Sequence, residues 1–161
     1  MERSEIASFG RKPLSLLGGD KFTDTRKVYS TLSDDEKVLF SDSGIYYDDP
    51  NVIYRYSYKI KNKPYAFIEV LKSKYDKKAV YLAIAVDSGY RRSQIGTILL
   101  HHIENILKQN EYKTIYYFPH KKNNPSIQFA TKNGYTNIDD TIAKQLPAYN
   151  EDRYHLIKQL S

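Results

Sequence analysis

The sequence contains no cysteine, no tryptophan and a single methionine. Without cysteine, disulfide bonds, thiolate metal sites and cysteine nucleophiles are excluded. No apolar run approaches the ~20 residues that a membrane-spanning helix needs. Residues 1–5 read Met-Glu-Arg-Ser-Glu, and the acidic side chains with no long apolar segment behind them argue against a signal or transit peptide. We therefore expect a soluble, cytoplasmic protein with no membrane contact.

Histidine is also scarce, with four residues in the whole chain. His101 and His102 are adjacent on a predicted helix and so point in different directions. No aspartate or glutamate accompanies them at the spacing of a ligand pair, and we therefore expect no metal site.

The chain has 161 residues, of which 40% are hydrophobic, and this is enough to bury a core in one domain. We expect a single domain over residues 1–161, with residues 1–20 either holding a short strand near residues 14–17 or forming an irregular N-terminal arm. The hydrophobic periodicity predicts strands at residues 52–60, 65–71, 79–86, 112–118 and around 154–160. It predicts helices at residues 25–29 and 33–40, after residue 95 and after residue 123.

The net charge of +6 raises the possibility of nucleic-acid binding. The lysines are dispersed over several turns, however, and this distribution is typical of solvated side chains. Tyr54, Tyr56 and Tyr58 alternate along one predicted strand. They form either an exposed platform on which bases stack or a set of packed cross-strand pairs, and the second is the commoner arrangement.

A short apolar strand runs into a basic turn and then into an amphipathic helix near the middle of the chain. Arg91 and Arg92 lie where this predicted helix begins. Unpaired backbone N–H groups and the helix dipole favour an anion at such an end, and Gly96 allows a ligand to approach the backbone. The segment is a candidate phosphate-binding loop, with a merely solvated polar loop as the alternative.

The spacing Arg91-x-x-Gln94-x-Gly96, preceded by Val86 at the strand end, resembles a loop of the GCN5-related N-acetyltransferases, or GNAT proteins. In that family the loop binds the pyrophosphate of acyl-CoA and usually has the form Arg/Gln-x-x-Gly-x-Gly/Ala. Gln94 replaces the first glycine of the pattern. Its side chain either narrows the approach of the pyrophosphate or projects into solvent.

A second segment is similar to a downstream signature of the same family, Asn-x-x-Ala-x-x-(apolar)-Tyr-x-x-x-Gly-Phe. It reads Asn123-x-x-Ser126-Ile127-x-Phe129-x-x-x-x-Gly134-Tyr135. Asn124 is the predicted N-cap of a helix, Pro125 its first residue and Gly134 the residue just past its end.

The family commonly protonates the departing CoA thiolate with a tyrosine four residues before that glycine. Here the position holds Ala130, which has no proton to donate. Water or another tyrosine remains as the proton donor, and Tyr116, Tyr117 and Tyr135 all lie near the expected cleft. The departure also leaves open a protein that kept the acyl-CoA cleft and lost efficient transfer.

Acylation of an amine requires removal of a proton, usually by a carboxylate or an ordered water. Glu69 is the leading candidate base because it lies within an apolar strand next to the one that leads to the loop. The alternative is that Glu69 lies on a solvent-exposed strand face. Asp87 is the second candidate, although an aspartate at that place is typical of a turn.

The resemblance implies a set of residues that contact acetyl-CoA: Val86, Arg91, Arg92, Ser93, Gln94, Ile95, Gly96, Thr97, Asn123, Ser126 and Phe129. The backbone N–H near Val86 would stabilise the oxyanion of the thioester. The arginines and residues 93–97 would hold the phosphates, while Asn123 and Phe129 would line the pantetheine channel.

The combined prediction is an α/β fold: a GNAT-like three-layer α/β/α domain with a mixed, mostly antiparallel sheet splayed between strands 4 and 5. The implied function is acetyl-CoA-dependent N-acetyl transfer to a primary amine on a small molecule, a peptide or a protein lysine. The alternatives are a catalytically weak acyl-CoA-binding or protein-interaction module of the same fold, and a basic nucleic-acid-associated protein. The acceptor is not predicted, and both a monomer and a homodimer fit the resemblance.

Overall fold

The computed structural model describes Ser30 and residues 51–60, 63–86 and 94–161. The strand expected near residues 14–17, the helices expected at 25–29 and 33–40, and the loop 87–93 lie outside the described residues. Numbered in chain order, the described elements are β1 (Val52–Ile60), β2 (Lys63–Lys72), β3 (Ala79–Val86), α1 (Ile95–Gln109), β4 (Thr114–Tyr117), α2 (Asn124–Lys132), β5 (Thr136–Asn137), α3 (Asp140–Ala143) and β6 (Leu156–Gln159).

These strands form one mixed sheet in the order β1-β2-β3-β4-β6-β5. All neighbouring strands are antiparallel except β3 and β4, which are parallel and joined through α1. A parallel pair needs such a crossover because the chain must return to the starting edge of the sheet. The five strands predicted between residues 52 and 160 are confirmed in position, with shifts of one to two residues at several ends. The short strand β5 was not predicted.

Alternating side chains divide the sheet into two faces. One face, which we call the helix-covered face, carries Tyr56, Ile68, Ile84 and Ile115 in a single buried cluster with the apolar side of α1. The other face, which we call the opposite face, carries the alternate residues of the same strands.

The tyrosines at positions 54, 56 and 58 are buried on the helix-covered face, each with at most 4% of its surface exposed. They therefore pack against the core and do not form an exposed platform for bases. Burial of aromatic rings of this size is a large source of hydrophobic stabilisation.

Helix α2 begins one residue before the predicted start, because Asn123 rather than Asn124 is its N-cap. The Asn123 side chain accepts a hydrogen bond of 3.3 Å from the backbone N–H of Ser126. Gly134 follows the C-cap with φ of 92°, a left-handed conformation in which glycine is favoured over residues with a Cβ atom. No helix in the described part of the chain is long and apolar enough to cross a membrane.

The parallel ladder between β3 and β4 is short, since it contains only the pairs from Ala79↔Thr114 to Tyr81↔Tyr116. Beyond Tyr81, β3 continues to Val86 without pairing to β4, while β4 pairs with β6. The two strands therefore diverge toward their carboxyl ends. They are the strands that the resemblance numbers 4 and 5, and the predicted splay between them is present.

Candidate functional site

The splayed end of β3 and the first turn of α1 form the centre of the candidate site. Arg91, Arg92 and Ser93, which were assigned to the phosphates, lie outside the described residues, and so does Asp87. The site is accordingly built from the residues on either side of this loop.

Gln94 is the N-cap residue of α1 and has φ of 68°, in the left-handed region. This conformation explains why the family pattern has glycine at that position, since a Cβ atom makes it unfavourable. The Gln94 side chain is exposed and makes no capping hydrogen bond.

Three residues that the resemblance assigned to acetyl-CoA lie side by side. A Cβ atom added at Gly96 would be 3.4 Å from Cε1 of Phe129 and 3.7 Å from Cγ2 of Val86. The first turn of α1 thus lies against both the end of β3 and helix α2. Next to Gly96, Ile95 is buried in the core and Thr97 is half-buried, so only the backbone of Ile95 is placed to contact a ligand.

Asn123 and Ser126 lie at the N-terminal end of α2. The Oδ1 atom of Asn123 is used in capping, as described above, which leaves its amide nitrogen as the group able to donate to a ligand. Ser126 is half-buried, and its side chain is hydrogen-bonded to the hydroxyl of Tyr117 on β4. This contact brings a buried phenol to the first turn of α2.

The three tyrosines considered as proton donors have different surroundings. Tyr135 donates a hydrogen bond of 2.9 Å to Oε2 of Glu104 on α1. Burial raises the pKa of Tyr135 well above its usual value of 10, and the Glu104 charge raises it further. Tyr116 lies on the opposite face, where its ring stacks on that of Tyr81.

Tyr117 lies in the same core cluster as Tyr135, and it is the member of the three that interacts with Ser126 at the first turn of α2. Burial raises the pKa of Tyr117, while the hydrogen bond with Ser126 and the charge of Arg153 partly oppose that increase. The tyrosine is therefore protonated at neutral pH and retains a proton that it is able to donate.

Glu69 lies on the opposite face of β2 and is completely buried, so it does not occupy a solvent-exposed strand face. Its Oε2 atom accepts a hydrogen bond of 2.7 Å from Nε of Arg55 on the neighbouring strand. Its Oε1 atom has no hydrogen-bond partner among the described residues. Across the sheet Glu69 is paired with Ala83, one of the first residues of β3 beyond the ladder with β4.

The opposite face also carries a group of aromatic side chains, and Tyr116 is its one member that sequence reasoning considered for the site. We call this group the aromatic row, and its members are Tyr81, Tyr116, Phe118, His155 and Tyr149. Each ring lies within 5.4 Å of the next, measured between ring centroids along the order Tyr81, Phe118, His155, Tyr149, with Tyr116 stacked on Tyr81. The alternation of Tyr116 and Phe118 along one strand was the available signal.

His155 is the buried member of the row. Its Nε2 atom accepts a hydrogen bond of 3.2 Å from the backbone N–H of Asn150, so the ring proton resides on Nδ1. Burial lowers the pKa of His155, and the nearby Lys121 charge lowers it further while Asp140 opposes this. The imidazole is therefore neutral at physiological pH.

Residues with metal-ligating side chains do not cluster in groups of three or more within residues 51–60, 63–86 and 94–161. Burial lowers the pKa of His102, which lies in edge-to-face contact with Tyr56 in the core. This half-buried histidine therefore packs against the core at one ring edge.

Comparisons with known proteins agree with the mixed sheet and its opening between β3 and β4. The family model described as Acetyltransferase (GNAT) family matches residues 20–135, and the chain belongs to this family. Comparison with curated protein sequences gives no significant match.

Several solved structures are similar in fold. The GNAT domain of PAT from S. lividans has a TM-score of 0.69 at 14% sequence identity, over 89% of this chain and 88% of that one. The ribosomal-protein-S18-alanine N-acetyltransferase from Escherichia coli has a TM-score of 0.61 at 17% identity, over 87% and 88%. The PaiA N-acetyltransferase from Thermoplasma acidophilum, in complex with coenzyme A, has a TM-score of 0.59 at 18% identity, over 86% and 89%. At these identities the similarity shows the fold alone.

Proposed function

We propose that this chain is an acetyl-CoA-dependent N-acetyltransferase that transfers the acetyl group to a primary amine. The observation that carries the proposal is the convergence of Val86, Gly96 and Phe129 beside the opening between β3 and β4. Membership of the family and the CoA complex of a structural neighbour support acetyl-CoA as the donor.

The cofactor would lie with its phosphates at the N-terminal end of α1. The first-turn N–H groups there donate no hydrogen bond to the side chain of the N-cap residue Gln94, and the first turn has no acidic residue to compete with an anion. Arg91, Arg92 and Ser93 would complete the phosphate contacts, with the backbone of residues 94–97. The pantetheine arm would then run past Phe129, Asn123 and Ser126 into the opening.

In the reaction, the neutral amine nitrogen attacks the thioester carbonyl carbon and the C–S bond breaks. Backbone N–H near Val86 would stabilise the oxyanion of the intermediate. Tyr117 would protonate the departing thiolate in place of the tyrosine that Ala130 replaces, because its hydroxyl lies beside Ser126 on the same face of the sheet as α2. Glu69 remains the proposed base for the amine, from the opposite face.

A second function is favoured by one observation. Ala130 is buried with only 1% of its surface exposed and has no proton to donate, so the usual acid is missing at that position. This supports a module that binds acyl-CoA and transfers the acetyl group poorly, or an interaction module of the same fold. Turnover separates the two proposals, since both bind the cofactor.

Calorimetric titration with acetyl-CoA tests the shared part of the proposals. We expect binding that is lost in the Arg91→Ala/Arg92→Ala variant and retained in Lys77→Ala/Lys78→Ala. The control removes the same charge from exposed positions of the β2–β3 turn, at the other end of β3. A folded protein that does not bind acetyl-CoA overturns the proposed function. Release of free CoA thiol in the presence of a panel of primary amines then distinguishes a transferase from a binding module.

A further inference from the structure

Two lysine-rich segments that are distant in the sequence meet at one end of the sheet. One is the turn between β2 and β3, and the other runs from the last turn of α1 to the start of β4. The carbonyl oxygen of Lys78 accepts hydrogen bonds from the backbone N–H groups of Lys113, at 2.8 Å, and Thr114, at 3.1 Å. This contact gathers a group of exposed lysines, which we call the basic end: Lys72, Lys74, Lys77, Lys78, Lys108 and Lys113.

The positive charge of the basic end is only partly balanced. Asp76 and Glu111 are the two acidic residues in segments 72–78 and 108–113. The Oδ1 atom of Asp76 accepts a hydrogen bond of 2.8 Å from the backbone N–H of Lys78, so this carboxylate is engaged within the turn. Among the described residues, no lysine of the basic end forms an ion pair. A polyanion that binds here would relieve the repulsion between these like charges.

Protection of a sheet edge does not explain these lysines. Charged side chains often prevent aggregation on the outer strands of a sheet. The basic end lies instead at β2, β3 and β4, which are interior strands in the order β1-β2-β3-β4-β6-β5. The concentration of charge therefore favours a negatively charged partner.

An exposed aromatic ring lies within the same turn. Tyr75 has 76% of its surface exposed. The Oγ atom of the buried Ser73 accepts hydrogen bonds from the backbone N–H groups of Tyr75, at 3.3 Å, and Asp76, at 3.2 Å. The ring thus projects from a hydrogen-bonded turn into solvent among cationic side chains. Such a ring is a platform on which an unpaired base stacks.

The surroundings of Tyr75 favour a nucleic acid over other polyanions. Attachment to a bilayer needs a set of apolar side chains, whereas Tyr75 is flanked by Lys74 and Asp76. The other large apolar side chains exposed in the described part of the chain, Ile142 and Tyr154, belong to α3 and to the segment before β6. An acidic polypeptide matches the charge but brings no base to the ring.

We propose that the basic end binds single-stranded nucleic acid, with the lysine ammonium groups on the phosphates and a base stacked on Tyr75. Phosphate contacts carry no sequence information and every base has a π-face, so binding should be tolerant of sequence.

The proposed surface is separate from the acetyl-CoA opening. The basic end lies at the amino ends of β3 and β4, and the opening lies at their carboxyl ends. The eight residues of β3 separate the two by roughly 23 Å, at about 3.3 Å per residue. The two ligands should therefore bind independently, and the inference does not depend on the proposed acetyl transfer.

Fluorescence anisotropy with labelled single strands of about 12 nucleotides tests the inference, with oligouridylate and oligothymidylate as the probes. We expect binding that weakens by about 50-fold between about 50 and 200 mM salt, the dependence for four phosphate contacts on a single strand. Binding of either strand supports the inference, and the ratio of the two affinities shows whether RNA or DNA is preferred.

Substitutions within the basic end locate the surface. Lys77→Ala/Lys78→Ala should weaken binding and reduce the slope of log K against log salt by about 1.4. Tyr75→Leu should weaken binding by at least about 5-fold, and Tyr75→Phe, which keeps the ring, should retain it. Lys121→Ala/Lys122→Ala is the matched control, because it removes the same charge from two adjacent exposed lysines before α2. Thermal unfolding shows that each variant is folded.

Four results would overturn the inference. The first is no binding at low salt, and the second is equal affinity for a duplex of the same length, whose bases are not free to stack on Tyr75. The third is tighter binding of polyglutamate or of phosphatidylserine vesicles, which would identify an acidic polypeptide or a membrane as the partner. The fourth is loss of binding in Arg91→Ala/Arg92→Ala or in Lys121→Ala/Lys122→Ala, or competition with acetyl-CoA, which would place the nucleic acid at the cofactor opening. Failure of acetyl-CoA to bind would overturn the proposed function alone.

Discussion

The hydroxyl of Tyr135 donates a hydrogen bond of 2.9 Å to Glu104, and Nζ of Lys158 lies 3.1 Å from the same carboxylate oxygen. This network joins α1, the segment after α2, and β6. The Tyr135 proton is thus engaged in a structural contact, whereas the Tyr117 hydroxyl lies at the first turn of α2 beside Ser126. The two tyrosines are predicted to have separable roles.

Tyr135→Phe should lower the free energy of unfolding by about 1–3 kcal/mol, because a buried charged acceptor loses one of its donors. It should leave kcat of acetyl transfer unchanged. Urea unfolding and a CoA-release assay measure the two quantities on the same preparation.

Tyr117→Phe, in contrast to Tyr135→Phe, should lower the rate of acetyl transfer. We expect kcat to fall by about 100-fold, the usual contribution of a positioned acid, with little change in the dissociation constant of acetyl-CoA. Ser126→Ala, which removes the partner but keeps the phenol, should have a smaller effect. A kcat for Tyr117→Phe within a factor of ~2 of the unaltered protein would exclude Tyr117 as the acid.

Substitutions at Gly96 test the proposed cofactor channel. A Cβ atom at this position is in ordinary contact with Phe129 and Val86, so Gly96→Ala should bind acetyl-CoA as the unaltered protein does. Gly96→Val places further methyl groups against these neighbours and should weaken binding by about 10-fold or more. Calorimetry measures both, and equal affinity for the two variants would place the cofactor elsewhere.

Gln94 has the left-handed backbone conformation that glycine adopts at little cost. Gln94→Gly should therefore raise the free energy of unfolding by up to about 1 kcal/mol. This is the net gain, because the greater conformational freedom of glycine in the unfolded chain offsets part of the relieved strain. Gln94→Ala keeps the Cβ atom and should produce no such gain. Chemical denaturation of the three proteins provides the comparison.

Stability should decrease as the pH falls below about 6.5. The pKa values of His155 and His102 are lowered from 6.5 in the folded protein, with burial as the main cause. The unfolded chain therefore takes up protons first, and the stabilisation present above pH 6.5 is lost as the pH falls toward the folded pKa values.

His155→Gln should reduce this dependence of stability on pH, and His101→Gln, at an exposed position, should preserve it. Unfolding curves between about pH 4.5 and 7.5 measure it.

Arg55→Met should destabilise the fold by about 3–5 kcal/mol, since it removes the ion-pair partner of a fully buried carboxylate. The double variant Arg55→Met/Glu69→Met should recover much of this loss, because both charges are gone. Additive losses in a double-mutant cycle would show that the two residues act independently.

Much of the fold was predictable because the segments from Ala79 to Gln109 are strongly periodic and punctuated by turn residues. The N-cap of α2 was misplaced by one residue because Asn123 and Asn124 are equally good caps, and Pro125 is tolerated anywhere in the first turn.

Contacts between distant residues were less accessible to sequence reasoning. The partner of Glu69 depends on the register of β1 against β2, which alternation alone does not fix. The aromatic row depends on strand order, since Tyr81 and Tyr116 meet only because β3 and β4 are adjacent. The face of the sheet that α1 covers is also set by tertiary packing, and this packing accounts for the burial of Tyr56.

The sheet has two parts, β1-β2-β3 and β4-β6-β5, and the only ladder between them in the described residues is the short one of β3 and β4, which we call the seam. A ligand bound in the opening would contact both β3 and β4 beyond the end of their ladder, where no backbone hydrogen bonds join these two strands. Occupancy should accordingly slow amide hydrogen exchange at the seam, in Val80, Tyr81 and Ile115, more than at the β1–β2 edge. The bound cofactor would then stabilise the junction between the two parts of the sheet, in addition to supplying the acetyl group.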